Sequence, residues 1–322
     1  MRICSIRTVV LLVAAAGLAV TIALLVSVGI GDVFAVVTRI GVPGFALYTG
    51  FSFVILAILG LAWLAVAPGL PLAWLGTFVW GRTTREAATD VLPFAQIGGI
   101  VIGARTIVAR GVPQPLAYAS LVADQTTELA AQLVYTLYGV AMLALVLQQG
   151  TGSSGALGPA LAGLAISTLI IIGFAVAQRP LLAFSARIGS ALLPGARDIL
   201  AELPGTLDAI YRHRRRVIAS FLLHIVTWVG SGAGAWIALH LIGVAIPVNN
   251  VIVIESLIFT LRTAAFAVPG GIGVQEGAYV LIGPLFGLPP EAALALSLLK
   301  RARDLAIGIP VVLIWLSSEA RR

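Results

Sequence analysis

Charge is what this sequence has least of. Only 10% of its 322 residues are charged and 60% are hydrophobic, with a mean hydropathy of +1.07. A soluble domain of this size could not hide so much apolar surface, so the composition excludes a soluble enzyme and makes the bilayer the effective core. Cysteine is almost missing. Cys4 stands alone, which excludes a disulfide framework and a thiolate metal site. Paired histidines, a DxD motif and a nucleophile elbow are absent as well. The longest polar stretch, Arg179 to Arg216, is too short for a catalytic domain, so a single membrane domain over 1–322 is expected.

The net charge of +7 would suit nucleic acid, but the arginines gather in one loop and at both termini, the pattern of membrane topology. Six apolar runs are long enough to cross, at about 1.5 Å per residue against roughly 30 Å of hydrocarbon. They are Thr8 to Ile30, Gly44 to Ala65, Leu116 to Leu147, Leu157 to Ala177, Val217 to Gly243 and Pro290 to Leu316. The first follows Arg2 and Arg7 and is read as an uncleaved first helix. Asp32 and Arg39 sit in a connection. Between Val79 and Arg105 the chain is too polar and too rich in glycine for a plain span. Phe266 to Ala278, FAVPGGIGVQEGA, cannot continue a helix through its proline and glycines. Broken backbone survives in a bilayer only where protein or a wet cavity supplies its hydrogen bonds.

The fold expected is therefore all-α, a polytopic integral membrane protein with about six full crossings and two re-entrant broken-helix hairpins. The linker at about 179–216 holds seven arginines against Asp198, Glu202 and Asp208, which places it and both termini in the cytoplasm. Gly230 and Gly234, four apart, form a close-packing seam.

The chain also resembles itself. Gly98-Gly99 matches Gly270-Gly271, Gly103-Ala104 matches Gly277-Ala278, and Gly111-Val112-Pro113 matches Gly287-Leu288-Pro289. The register then runs ungapped, setting Glu128 opposite Asp304 and Asp124 opposite Lys300. Repeat 1 covers about 72–147 and repeat 2 about 251–316. The two following spans start on opposite sides, so the copies are expected as inverted repeats, with a site where they meet.

Lys300 lies about ten residues into the last span, roughly 15 Å deep. Ionised groups facing lipid there would cost ~2.5 to 3.5 kcal/mol each, so Lys300, Arg301, Arg303 and Asp304 are expected to face one cavity. Asp124 and Glu128, one turn apart on a single helix face, are their natural partners. Half-helices following the two Gly-Gly breaks would aim their N-termini inward, where an anion is favoured but Glu276 competes for one of them. A structural ion-pair network is the alternative to a head-group pathway. GIGVQEG approaches a dinucleotide fingerprint, but no βαβ unit surrounds it. His224 and His240 are better explained by packing or helix–helix hydrogen bonds than by metal.

LPFAQIGG with Gly103-Ala104-Arg105, VADQTTELA, VPGGIGVQEGA and LPPEAALALSLLKRARDL together resemble the flippase-like transmembrane family of lysylphosphatidylglycerol synthases. Within it they look most like the stand-alone branch associated with hopanoid biosynthesis. The resemblance runs from about Arg82 to Trp315 and implies a lipid-handling membrane domain. It implies Arg105 as motif arginine, Asp124 or Glu128 as the acid on the next span, and Gly273 with Glu276 as the glycine-glutamate turn. Lys300, Arg301 and Arg303, closed by Asp304, would be the basic run. Gly270, Gly271 and Arg262 complete the candidate substrate-binding set. The soluble aminoacyl-transferase domain of the full synthases is not expected within these 322 residues, and neutral Ile100 and Gln125 stand where relatives often carry charge.

The expected function is movement of a polar lipid, a hopanoid or its precursor, through a charged cavity in a bacterial inner membrane, without enzymatic turnover. A lipid-complex scaffold and a head-group enzyme are the alternatives. Anionic lipids could meet the cytoplasmic face along Arg187 to Arg216, a solvated connection being the equal alternative. Neither a cofactor, a metal nor nucleic acid is expected.

Overall fold

The computed structural model describes residues 30–91, 95–150, 196–264 and 272–321, with isolated positions 23 and 26. Every described element is helical: α1 Ile30–Thr38, α2 Gly41–Ala65, α3 Leu75–Val91, α4 Ala95–Val108, α5 Gln114–Gly150, α6 Ala196–Arg212, α7 Arg214–Leu241, α8 Val248–Ala264, α9 Val274–Ile282 and α10 Pro290–Glu319. Three of them, α2, α5 and α7, are long and apolar enough to cross a membrane. The last, α10, is 30 residues long but carries the charged run. Most of the expected span Thr8 to Ile30 and all of Leu157 to Ala177 lie outside the described residues. The connection expected around Asp32 and Arg39 is itself largely helical, as α1, whose Val33 and Val36 are buried.

The first interrupted region is two helices, α3 and α4, packed against each other. The expected break at Gly98-Gly99 is corrected here, because both glycines lie inside α4. The surroundings of Gly99, Gly103 and Gly81 show why these positions are small. A Cβ on Gly99 would come within 2.7 Å of the Arg85 carbonyl oxygen, one on Gly103 within 2.9 Å of Arg85 Cβ, and one on Gly81 within 2.5 Å of Ile107. The glycines allow α3 and α4 to approach, the small-residue packing of membrane helices. In the second interrupted region α8 is described as far as Ala264, and α9 begins at Val274, with Gly273 at φ 82° as its N-cap. Gly270 and Gly271 lie outside the described residues.

Two similar turns lead into the charged helices. Gly111 and Gly287 both take positive φ, 100° and 83°. In each turn the following residue donates to a carbonyl five positions back, Val112 to Ile107 at 3.2 Å and Leu288 to Gly283 at 3.0 Å. This is a glycine-terminated helix end that only a residue without Cβ adopts cheaply.

Apolar packing gathers in two main bodies. One joins Trp63, Phe78, Ile107, Leu121 and Ile210, from the end of α2, from α3 to α5, and from α6. The other joins Tyr48, Leu239, Ile254, Tyr279 and Leu296, from the start of α2, the end of α7, and α8 to α10. The seam expected at Gly230 and Gly234 is present against α2: their Cβ atoms would lie 2.6 Å from Ile55 and 3.2 Å from Phe51. Gly60 is tighter still, with its Cβ position 2.6 Å from Val79 Cα and 2.7 Å from Val79 N. Since backbone must shift, Gly60→Ala is expected to cost about 1 to 3 kcal/mol. Gly205→Ala, which meets nothing within 4 Å, should not destabilise. Thermal unfolding in detergent checks both.

Candidate functional site

On α3, Arg82, Arg85 and Glu86 stand at i, i+3 and i+4 and share one face. That face meets Asp124 and Glu128 on α5. Arg82 Nη1 lies 3.1 Å from Asp124 Oδ2 and 2.9 Å from Glu128 Oε2, and its Nη2 is 2.5 Å from Glu128 Oε1. Arg85 adds contacts of 3.4 Å to Asp124 and 3.1 Å to Glu128. From α7, His224 Nε2 sits 2.9 Å from Asp124 Oδ1, so of the two roles expected for it, packing or a helix–helix hydrogen bond, it makes the hydrogen bond. Arg82 is 1% exposed, and Asp124 and His224 are 0% exposed. Buried charge at this depth persists only when paired and hydrogen-bonded.

A second cluster lies on α8, α9 and α10. Lys300, the only lysine in the chain, places Nζ 2.5 Å from Glu255 Oε2 and donates to the Tyr279 oxygen at 3.0 Å. The Tyr279 hydroxyl donates to Glu255 Oε1. Beside it, Glu276 accepts from Gly273 N at 2.8 Å, from Ser297 at 3.0 Å and from Arg301 Nε at 2.7 Å. Glu276 therefore occupies the N-terminus of α9 that could have held an external anion. Arg303 closes on Asp304 at 2.6 Å and donates to the Tyr48 hydroxyl at 3.0 Å.

The expected pairing of Asp124 and Glu128 with the basic run of α10 is corrected by these contacts. The acids of α5 bind arginines of α3, and Lys300 binds the acid of α8. A side chain reaches the helix packed beside it, and the hairpin helices intervene.

The two clusters flank one cavity of about 180 Å³. Phe51, Ile55, Leu56 and Leu59 of α2 form an apolar wall, with Trp228 and Phe259 nearby. Facing them are Arg82, Glu86, Asp90, Glu128, Arg303 and Asp304. Asp90 is exposed, and none of the described hydrogen bonds or ion pairs involves it. Of the expected residues, Glu128, Arg303 and Asp304 line this space, while Asp124, Glu276 and Lys300 lie behind it. Arg301 is bound to Glu276. Arg262 packs its guanidinium 5.8 Å from the Phe259 ring centre. Arg105 points elsewhere: it is largely exposed and pairs with Glu319 near the end of α10.

Arg82, Arg85, Glu86, Asp90 and Glu255 belong to this site and were not singled out from the sequence. The signals existed. TTREAATD makes Val79 to Val91 unusually polar, and Glu255 is a lone acid inside VIVIESLIF. Intramembrane acids require a partner.

Asp124, Glu128 and His224 bring ligand-type atoms within 4.8 Å of one another. Their carboxylates are already bound by two guanidiniums, however, so a cation would have to displace Arg82 and Arg85 and then sit beside their charge.

Residues 9–311 match the family model described as the lysylphosphatidylglycerol synthase TM region. No curated protein and no solved structure matches the chain.

Proposed function

The chain belongs to the lysylphosphatidylglycerol synthase transmembrane-region family, and from that premise we propose that it moves a polar lipid through the cavity between α2, α3, α7 and α10. The carrying observation is the cavity's two-sided lining. An apolar and aromatic wall can follow an acyl or polycyclic tail, and a charged wall can replace the water around a head group.

The charges narrow the cargo. Two guanidiniums line the space against four carboxylates, those of Glu86, Asp90, Glu128 and Asp304. An anionic head group would meet net repulsion, whereas hydroxyls or an amine would find acceptors. A polyol or amine-bearing hopanoid-type lipid fits that lining better than a phosphatidylglycerol.

Transport suits the lining better than head-group chemistry. An enzyme of that kind needs a nucleophile activated by a neighbouring base; of the hydroxyls on the cavity wall, those of Ser52, Thr83 and Thr227 donate to the carbonyls of Tyr48, Val79 and His224, and no described hydrogen bond ties Ser231 to a base.

The two halves are read as repeats of inverted orientation. α5 and α10 begin after the matched glycine turns. Cross-packing is reciprocal. Gln132 of α5 donates to Thr263 of α8 at 2.6 Å, and Gly308 of α10, the match of Gln132, packs on Val91 of α3. With six crossings, the arginine-rich segment and both termini face the cytoplasm of a bacterial inner membrane.

The test is reconstitution into liposomes with fluorescent lipids bearing a polyol, an ethanolamine or a glycerol-phosphate head. The protein should speed flipping of the first two over the third, and Asp90→Asn should slow it several-fold without loss of fold. Flip rates equal to those of empty liposomes would overturn the reading, and lipid turnover would replace it with an enzyme.

A further inference from the structure

Aligning α3 with α8 from their first residues, Leu75 and Val248, sets Arg82 opposite Glu255 and Thr83 opposite Ser256. Aligning α5 with α10 from their first residues, Gln114 and Pro290, sets Asp124 opposite Lys300. These registers are chosen separately, yet they agree on one contact. Arg82 pairs with Asp124 at 3.1 Å, and at the matching positions Glu255 pairs with Lys300 at 2.5 Å. The same ion pair is built twice, with the signs exchanged on both helices.

Both copies are buried, but they differ in what borders the cavity. Arg82 and Thr83 line it, whereas Glu255, Ser256 and Lys300 do not. Two features seal the second copy. Phe259, at the position matching cavity-lining Glu86, lays its ring 5.4 Å from Lys300 Nζ. Gly139 presses on Ser256 so closely that a Cβ there would overlap the serine.

We propose that Glu255, Tyr279 and Lys300 form a second head-group site, closed in this structure, that opens as the Arg82 site closes. The site offers one cationic donor, one carboxylate and a phenol, a set that suits a hydroxylated or amine-bearing head group. Two halves of one design held in unequal states at a shared interface can exchange those states at modest cost. This inference rests on the lipid-transport reading for its ligand, but its test needs no lipid cargo.

Lys300 is its own reporter, because a membrane-impermeant amine-acylating reagent has no other side chain to modify. In proteoliposomes, mass spectrometry should find Lys300 acylated progressively by reagent supplied from one side. A lock is available where Thr136 of α5 meets Thr260 of α8, Oγ to Oγ 2.9 Å. Thr136→Cys with Thr260→Cys, in a Cys4→Ala background and oxidised to the disulfide, should lower acylation about tenfold, with recovery on reduction. No acylation of Lys300 in the unlocked protein, or equal acylation when locked, overturns the proposal and leaves a permanent structural clamp.

If the cysteine pair does not assemble, single reporters decide. Ser256→Cys should react with a water-soluble maleimide from the membrane face opposite to that for Thr83→Cys, and an inert Ser256→Cys in a protein whose Thr83→Cys reacts overturns it. Failure of flipping with acylation intact would sink the lipid cargo and spare the exchange.

Discussion

Arg82→Ala is expected to leave the protein about 3 to 5 kcal/mol less stable, the range for removing one member of a buried ion pair. Arg82 is 1% exposed and touches Asp124, Glu128 and Glu86. Without it, Asp124 keeps His224 and the longer 3.4 Å contact from Arg85, too little to offset a carboxylate with no access to water. Arg82→Lys should fall between, since an ammonium keeps the charge but cannot span both acids as the planar guanidinium does. Equilibrium unfolding in mixed micelles measures all three proteins. A loss under about 1 kcal/mol for Arg82→Ala would mean that water reaches Asp124 freely.

Lys300→Met should cost a similar amount, about 3 to 5 kcal/mol, because Glu255 is 0% exposed and would keep only the Tyr279 hydroxyl. Adding Glu255→Leu should recover most of that stability, since two apolar groups leave nothing unpaired. The double variant separates structure from function. A stable protein that still flips lipid makes the pair a clamp, whereas a stable protein that has lost flipping makes it part of the pathway.

Much of this site was legible in the sequence, for an energetic reason. Asp124, Glu128, Lys300, Arg301, Arg303 and Asp304 sit in apolar helices, where an ionised group facing lipid is costly, so their inward orientation followed from the bilayer alone. Their partners were not legible. Asp124 and Lys300 are opposite in sign and matched in position, which suggests that they pair, but each is served by the hairpin helix of its own half. The glycine pair at Gly98 and Gly99 misled in a related way. In isolation two glycines weaken a helix; beside Arg85, Gly99 together with Gly103 lets α3 come close enough for its arginines to reach α5. Arg105 matched a family motif, yet its place on α4 turns it toward Glu319 and away from the cavity.

Composition and periodicity by themselves determined that this is an all-helical membrane protein and that the ionised groups inside its apolar helices need partners, because the cost of polarity in lipid is a property of single residues and spans. The tertiary structure decided which charge meets which, that both pairs close within their own halves with reversed sign, and that only one of them borders open space. Those outcomes depend on which helix faces lie within a side chain's length of each other, a distance that no single segment contains.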